Sequence, residues 1–280
     1  MRWFKKEIEK KVSTFQGDFI VPVELNVRLD AAVCQEKIDK LLAYRGYSHI
    51  DLDILIELLH EKHLVYAQLL DRDNIENIQR PHIESLANGN QVLISYLNTI
   101  PLSVLQTQLK MLLHGDDELL HRMNLFVECF GDVAKPKLES AIWNFMAELL
   151  HFFKPELYPL MSRWVWHEAT QKGAMREFVQ MDKRHSQSLG GQSVDFEACR
   201  VWLAQQLGKK GLFRDVHYFI DLICAQAYAD NILSISSGSK FTEYAHMNEL
   251  DDSLAIILKL LGIEVNQTQL FEMPRNVILH

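Results

Sequence analysis

The residues with the clearest chemical potential lie on one long apolar segment, residues 212–232. A helix turns by about 100° per residue, so four polar side chains of this segment fall on one narrow stripe. They are Arg214, His217, Asp221 and Tyr228. On a helix that is apolar around most of its circumference, such a stripe lines either an internal site or a window to solvent. The sequence leaves both interpretations open.

His217 and Asp221 are the candidate catalytic pair of this stripe. They stand four residues apart, so the Asp221 carboxylate can orient the His217 imidazole and raise its basicity, as a general base requires. Arg214 can bind an anionic substrate, and Tyr228 can donate a proton. The other interpretation is a helix whose one exposed stripe carries its polar residues with a weak surface salt bridge. The sequence favours this second interpretation.

Metal binding is another chemistry that the sequence raises, because the spacing Glu-x-x-His occurs four times. The pairs are Glu57/His60, Glu118/His121, Glu148/His151 and Glu243/His246. Carboxylate-bridged di-iron bundles use two such motifs, since residues i and i+3 of a helix project from one face. The repeated spacing therefore raises the hypothesis of a di-iron or other metal enzyme.

The expected direction of these side chains argues against a buried metal pair. On a helical wheel, Glu57 points away from the apolar face of its helix. Glu118 and His121 share the solvent side of their helix with Arg122. Ligands of a buried metal pair must face the interior of a bundle, so these positions are better explained as solvated helix faces.

Glu148 and His151 are the exception among these pairs. They continue a polar stripe that begins at Ser140 and Asn144 on an otherwise apolar helix. They therefore remain the metal candidates of the chain. A single pair cannot complete a tetrahedral or octahedral shell, so a metal would need further ligands from elsewhere. We predict no cofactor.

Helices must position these residues, because glycine and proline are sparse and the hydrophobic periodicity between them is helical. The polar stretch 72–88 is predicted to be a connector, and 91–97 a short apolar piece. The predicted helices cover residues 31–45, 51–70, 102–113, 117–130, 137–153, 156–170, 174–183, 212–232 and 251–261. A further helix, capped by Ser193 or Asp195, is predicted to run to Leu207.

The pattern as a whole predicts an all-α fold of about ten helices in one compact domain. Residues 21–29 alternate as a strand does, and the C-terminal 276–279 are short and apolar, so the two arms either form a minor strand pair or are extended. A single helical domain over residues 1–280 is expected. Pro101 marks an alternative division into an N-terminal part, 1–100, and a C-terminal core, 101–280.

Aromatic residues crowd into residues 143–166. If this segment is helical at Trp164 and Trp166, their side chains point about 200° apart, so one of them reaches a surface or a partner groove. Aromatic side chains are favoured anchors of protein interfaces, which makes both tryptophans binding candidates. Placement in the core is the alternative, and the apolar surroundings favour it.

The segment 147–165 reads A-E-L-L-H-F-F-K-P-E-L-Y-P-L-M-S-R-W-V. It resembles the stretch that follows the hairpin in helix-hairpin-helix DNA glycosylases and their degenerate relatives, where an apolar helix leads into a P-E-x-[FY]-P-[IV] turn. The shared residues are Pro155, Glu156, Tyr158, Pro159, Leu160 and Val165. The resemblance is local, since it covers 19 of 280 residues.

Two departures from that family are important. Where the family carries its catalytic Asp, this chain has Ser162, which cannot act as a carboxylate. The family's DNA-binding hairpin is rich in glycine, whereas residues 131–137 here read G-D-V-A-K-P-K. The resemblance therefore implies an all-helical fold whose active site is lost or repurposed, and it raises the hypothesis of a degenerate glycosylase-like nucleic-acid binder.

The composition of the chain limits the kinds of partner and the location that we expect for it. The net charge is −8, and the one dense basic cluster, residues 5–11, alternates lysine with glutamate, so a nucleic-acid partner is not expected. Four cysteines without a C-x-x-C pair indicate reduced thiols and a cytoplasmic location. The N-terminus lacks the apolar stretch of a signal peptide, and no run approaches the ~18 apolar residues of a membrane span.

The sequence thus favours a cytoplasmic helical accessory or protein-interaction protein with a protein partner. This interpretation rests on missing motifs, because the chain lacks G-x-S-x-G, G-x-G-x-x-G and G-x-x-x-x-G-K-[ST]. An enzyme using His217, Asp221 and Arg214 is the first alternative. A metal enzyme around Glu148 and His151 is the second, and the glycosylase-like binder is the third.

Overall fold

The computed structural model describes residues 28–46, 51–131, 136–167, 170, 172–180, 196–237 and 249–263. Within these residues the chain is all-α, as predicted, with ten α-helices and no strand. Two short 3-10 helices, Ile75–Asn77 and Ala174–Phe178, lie among them. The α-helices are α1 (Ala31–Leu42), α2 (Leu52–Leu69), α3 (Arg80–Leu86), α4 (Gln91–Leu97), α5 (Leu102–His114), α6 (Leu119–Glu128), α7 (Pro136–Phe153), α8 (Phe196–Gly208), α9 (Val216–Ser237) and α10 (Glu249–Leu260).

Helix α9 is central, as its nearly continuous apolar composition predicts. Every residue from 218 to 227 is buried, because α1, α2, α8, α10 and the 3-10 helix Ala174–Phe178 all pack against it. Helix α7 is the second buried helix, and it contacts α2, α4 and α5. No helix in the described part of the chain is both long and apolar enough to cross a membrane.

The first two helices begin where aspartate side chains cap them. The Asp30 carboxylate accepts a hydrogen bond from the Ala32 amide at 2.9 Å, and Asp51 accepts one from the Ile54 amide at 3.0 Å. Each cap satisfies a backbone N–H that has no partner within the helix. The predicted N-terminus at Asp51 is therefore explained by its side chain.

The predicted helix over residues 156–170 is wrong. Helix α7 ends at Phe153, a turn follows, and the chain then continues without a helix to residue 167. Proline lacks a backbone N–H and disfavours helical geometry in the residue before it. Pro155 and Pro159 therefore stop the helix, although the apolar spacing of the segment suggested one.

Three other predicted boundaries also shift. The long helix begins at Val216 rather than at residue 212, because Asp215 has a left-handed φ of 51° and closes a turn instead. Of the predicted helix 174–183, the structure describes residues 174–180, and these contain only the 3-10 helix Ala174–Phe178. The predicted connector 72–88 contains α3, which begins with Pro81 in its first turn, where a missing N–H costs nothing.

The N-terminal arm meets the chain at a place that the sequence did not predict. Leu29 forms an isolated antiparallel bridge with Val179, and the Gln180 amide donates to the Arg28 carbonyl at 2.8 Å. Residues 21–27 and 276–279, for which the sequence predicts either a minor strand pair or extended arms, lie outside the described residues.

The segment between α7 and the 3-10 helix Ala174–Phe178 is folded back on itself at Gly173. The Ala174 amide donates to the Trp164 carbonyl at 2.9 Å, and the Met175 amide donates to the Val165 carbonyl at 3.0 Å. Gly173 has a φ of 126°, and a Cβ placed there would lie 2.6 Å from the Val165 carbonyl oxygen. Only glycine fits this close approach of two backbones.

Candidate functional site

The polar stripe of α7 faces groups from four other parts of the chain. Near the start of the helix, the Ser140 hydroxyl accepts a hydrogen bond from the Arg163 guanidinium at 2.6 Å. One turn later, the Asn144 side chain accepts one from the Arg163 amide at 2.8 Å. Glu148 and His151, further along the same face, each meet a charged residue from another helix. We therefore take the last two turns of α7 as the candidate site.

His151 and Asp221 form a buried pair at the contact between α7 and α9. The His151 Nε2 atom lies 2.7 Å from Asp221 Oδ2, and the two side chains are only 1% and 5% exposed. On the other side of the ring, Nδ1 lies 2.8 Å from the Tyr158 carbonyl oxygen. Because that oxygen can only accept, Nδ1 carries a proton and donates it.

The second His151 nitrogen and the carboxylate must then share one further proton. Whether that proton sits on Nε2 or on Oδ2, the pair as a whole has no net charge. A neutral, fully hydrogen-bonded pair is the form in which two such groups tolerate removal from water. Both ring nitrogens of His151 are therefore engaged, one with the Tyr158 carbonyl and the other with Asp221.

Lys62 and Glu148 form a second, adjacent ion pair between α2 and α7. The Lys62 Nζ atom lies 3.1 Å from Glu148 Oε2 and donates to the Leu261 carbonyl at 2.6 Å, just beyond the end of α10. It also lies 4.1 Å from the centroid of the Phe152 ring, and Asn88 donates to the same Glu148 oxygen. Lys62 therefore connects three helices through one ammonium group.

The environment of Lys62 opposes its charge. Burial, the largest influence, lowers the pKa of Lys62 below its ordinary value of 10.5, although the nearby carboxylates of Glu148 and Asp221 act in the other direction. The same burial strengthens the attraction between the two charges. The ammonium group is held by its ion pair, its carbonyl acceptor and the aromatic face together.

The Glu-x-x-His pair on α7 therefore faces the interior, but its two members bind separate partners. The described residues contain no group of three or more histidine, cysteine, aspartate or glutamate side chains that could hold a metal ion. Glu57, His60 and His121 are exposed, and Glu118 is half-buried. The pair Glu243/His246 lies outside the described residues.

One solvent-side assignment on α6 is wrong. Arg122, which the helical wheel placed in water beside Glu118, is only 8% exposed. Its guanidinium donates to the Leu112 carbonyl near the end of α5, a contact that depends on how α5 and α6 pack. A long side chain on the edge of an amphipathic helix can thus reach a carbonyl of the neighbouring helix.

A small cleft lies beside the His151–Asp221 pair. Its cavity volume is about 10 Å³, which is room for about one water molecule. His217 and Arg200 reach this cleft from α9 and α8, and Pro155 and Pro159 close another side. A substrate of ordinary size does not fit this space.

The predicted stripe of four polar residues does not form one site. His217 and Asp221 both line the cleft, but Asp221 directs its Oδ2 atom to His151. Arg214 is exposed and precedes α9. Tyr228 lies two turns further along, with its ring 6.1 Å from the Trp164 ring.

Both predicted binding tryptophans are half-buried and pack against the hydrophobic core. Because residues 158–167 are not helical, the expectation that Trp164 and Trp166 point in opposite directions does not apply. Trp143, earlier on α7, donates its indole N–H to the Met161 carbonyl at 3.1 Å and so ties this segment to the helix.

Thiol chemistry is also suppressed. The four cysteines are free, and Cys34, Cys199 and Cys224 are buried. Burial raises the pKa of Cys34 and Cys199 to about 12, and that of the half-buried Cys129 to about 12 as well. Thiols of this kind stay protonated at neutral pH and are poor nucleophiles.

Lys62 is the main member of the site that sequence reasoning missed. A signal was present, because Lys62 stands three residues after Leu59 and four before Tyr66, and both are buried. The residue type hides this signal, since lysine is almost never fully buried unless it is paired. A lysine at a core position should therefore prompt a search for its carboxylate.

The pH dependence of stability tests the environment of His217. Burial, opposed mainly by Asp221, lowers the pKa of His217 below its ordinary value of 6.5. The unfolded chain therefore binds a proton at this residue more readily than the folded chain, so stability is present above about pH 6.5 and is lost as the pH falls below it. We expect His217→Gln to lose less stability than the wild type between about pH 7.5 and about pH 5.

Urea unfolding of both proteins at several pH values measures this difference. His60→Gln is the matched control, because His60 is exposed. Equal pH dependence in the wild type and His217→Gln would contradict the burial of this imidazole.

Comparisons of the chain with protein-family models, curated proteins and solved structures found no match. The resemblance to helix-hairpin-helix glycosylases therefore stays a prediction. At the position of the family's catalytic Asp, Ser162 is completely buried. Within the segment compared with the DNA-binding hairpin, residues 132–135 lie outside the described residues.

The described surface carries one strongly exposed aromatic residue. Phe213 is 75% exposed in the turn between α8 and α9, and Ile235 near the end of α9 is 71% exposed. Other large apolar side chains in the described residues reach at most 52% exposure. Single exposed apolar residues are ordinary, but an exposed phenylalanine next to an arginine has the composition of an interface anchor.

Proposed function

We propose that this chain is a cytoplasmic helical accessory protein that binds a partner protein through the turn carrying Phe213. The observation that carries the proposal is the 75% exposure of Phe213. Aromatic residues are enriched among the few side chains that dominate binding energy at protein interfaces. Its exposure costs hydration free energy in the free chain, which a partner surface would recover.

The interior supports the same proposal. In the buried pair His151–Asp221 and in the half-buried pair Lys62–Glu148, each member neutralises the charge of its own partner. The cleft beside them holds about one water molecule. These groups are suited to fixing the packing of helices rather than to binding a substrate. The four free cysteines are in keeping with a reducing compartment such as the cytoplasm.

The test begins with the full chain and its native cell extract. Proteins cross-linked to the wild type are identified and purified, and their affinity for the chain is measured by calorimetry. We expect a saturable partner whose dissociation constant rises at least about tenfold with Phe213→Ser. Ile235→Ser is the matched control, because its side chain is almost equally exposed on another part of the surface.

Phe213→Ser should keep the fold, since substitutions of exposed side chains change stability little. Circular dichroism of each variant checks this point. The proposal is overturned if no purified partner binds saturably, or if Phe213→Ser and Ile235→Ser bind the partner equally well.

A further inference from the structure

We propose that Phe213 and Arg214 form a two-part docking site for an acidic segment of a partner protein, with an apolar side chain packed on the ring and a carboxylate bound by the guanidinium. This inference rests on the proposed function, and it adds the chemistry of the partner. It is carried by the geometry of the turn between α8 and α9 and by the charges around it.

Backbone hydrogen bonds and one ring contact hold Phe213 in position. The Gly211 amide donates to the Gly208 carbonyl at 3.0 Å, and the Leu212 amide donates to the Leu207 carbonyl at 3.1 Å. The Phe213 ring lies close against Gly208, since a Cβ placed on that glycine would be 3.2 Å from the ring. A preorganised turn loses little conformational entropy when a partner binds.

Arg214 is available to a partner. It is exposed, and within the described residues its side chain has no hydrogen bond or ion pair. The neighbouring cations differ, because Lys210 lies 2.8 Å from Asp39 and Lys209 donates to Gln206. An arginine that directly follows an exposed aromatic residue in the sequence offers a guanidinium that can bind a carboxylate in a bidentate way.

The local charge favours an acidic partner. The turn itself carries three cations, Lys209, Lys210 and Arg214, and one carboxylate, Asp215, whereas the chain as a whole carries −8. Asp39 of α1 pairs with Lys210. The positive charge of this turn would attract and orient an acidic segment of a partner protein. A nucleic acid fits less well, because binding along a phosphate backbone needs several cations and the acidic remainder of the chain repels it.

The experiment selects random peptides displayed on phage against the immobilised full chain, with the Phe213→Ser protein as a parallel target. We expect the peptides that depend on Phe213 to contain an aromatic or aliphatic residue flanked by aspartate or glutamate. Their affinity, measured by fluorescence polarisation, should fall at least about tenfold with Arg214→Glu and should weaken as salt is added.

Arg45→Glu is the matched charge control, because Arg45 is exposed after the end of α1 and its replacement changes the net charge equally. The inference is overturned, and the proposed function is not, if the peptides whose binding depends on Phe213 lack acidic residues. The same holds if their affinity is unchanged by Arg214→Glu. If neither a peptide nor a partner protein is found whose binding depends on Phe213, both the inference and the proposed function are overturned. Tight binding of a single-stranded oligonucleotide that requires Arg214 would overturn the choice of a protein segment.

Discussion

Replacing Asp221 with alanine is expected to lower the free energy of unfolding by about 3–5 kcal/mol, because it removes one member of a buried pair. His151 would keep its bond to the Tyr158 carbonyl, but its Nε2 atom would face a cavity without a partner. An unsatisfied buried polar group pays its full cost of desolvation. Urea unfolding followed by tryptophan fluorescence measures the change.

The Asp221→Asn variant distinguishes the effect of losing the carboxylate from the effect of losing the hydrogen bond to His151. An amide N–H can donate to a neutral His151 Nε2 while Nδ1 still donates to Tyr158, so we expect this variant to cost only about 1 kcal/mol. Equal losses for the alanine and asparagine variants would contradict the shared-proton arrangement. A small loss in both would contradict the burial of the pair.

Replacing Lys62 with methionine is expected to have a similar effect, also about 3–5 kcal/mol. Methionine fills much of the same space, but among the described residues Glu148 would be left with the amide of Asn88 as its one donor. The Leu261 carbonyl would also lose its ammonium donor at the end of α10. We therefore expect α10 to become more easily unfolded, which amide hydrogen exchange over residues 249–263 would measure.

The double variant Lys62→Met with Glu148→Gln tests the electrostatic explanation. It removes both charges, so it should recover a large part of the stability that Lys62→Met alone loses. Lys110→Met is the control for removing a paired lysine, because the pair of Lys110 with Glu76 is exposed and should contribute little. If the double variant is as unstable as Lys62→Met, the charge of Glu148 is not the cause.

The helical class could be predicted because it depends on local features. Sparse glycine and proline, apolar periodicity and the cap at Asp51 act within a few residues of sequence. The central place of α9 followed from its composition in the same way. The helix wrongly predicted over residues 156–170 also has a local explanation. Its apolar spacing favours a helix, but Pro155 and Pro159 prevent one.

The pairing within the site could not be predicted from the sequence. His151 and Asp221 are 70 residues apart, and Lys62 and Glu148 are 86 residues apart. A helical wheel states which side of a helix a residue occupies, but it does not say which helix packs against that side. The sequence therefore pairs Asp221 with His217, its neighbour along α9. In the structure the partner of Asp221 is His151, which comes from α7.

The exposure of Phe213 could not be predicted, for a different physical reason. The apolar pattern predicts one helix over residues 212–232, and a phenylalanine on an apolar helix is expected to be buried. The left-handed conformation of Asp215 starts the helix at Val216 and leaves Phe213 in a turn. A change of conformation at one residue thus moves an aromatic ring from the predicted core to solvent.

The protonated thiols of this chain have a practical use in spectroscopy. Maleimide dyes react with thiolates, and cysteines whose pKa lies at about 12 offer almost none at neutral pH. A cysteine introduced at an exposed position would therefore accept a fluorophore while the native four remain in place. Distances between such dyes could follow the turn at Phe213 in an otherwise unaltered chain.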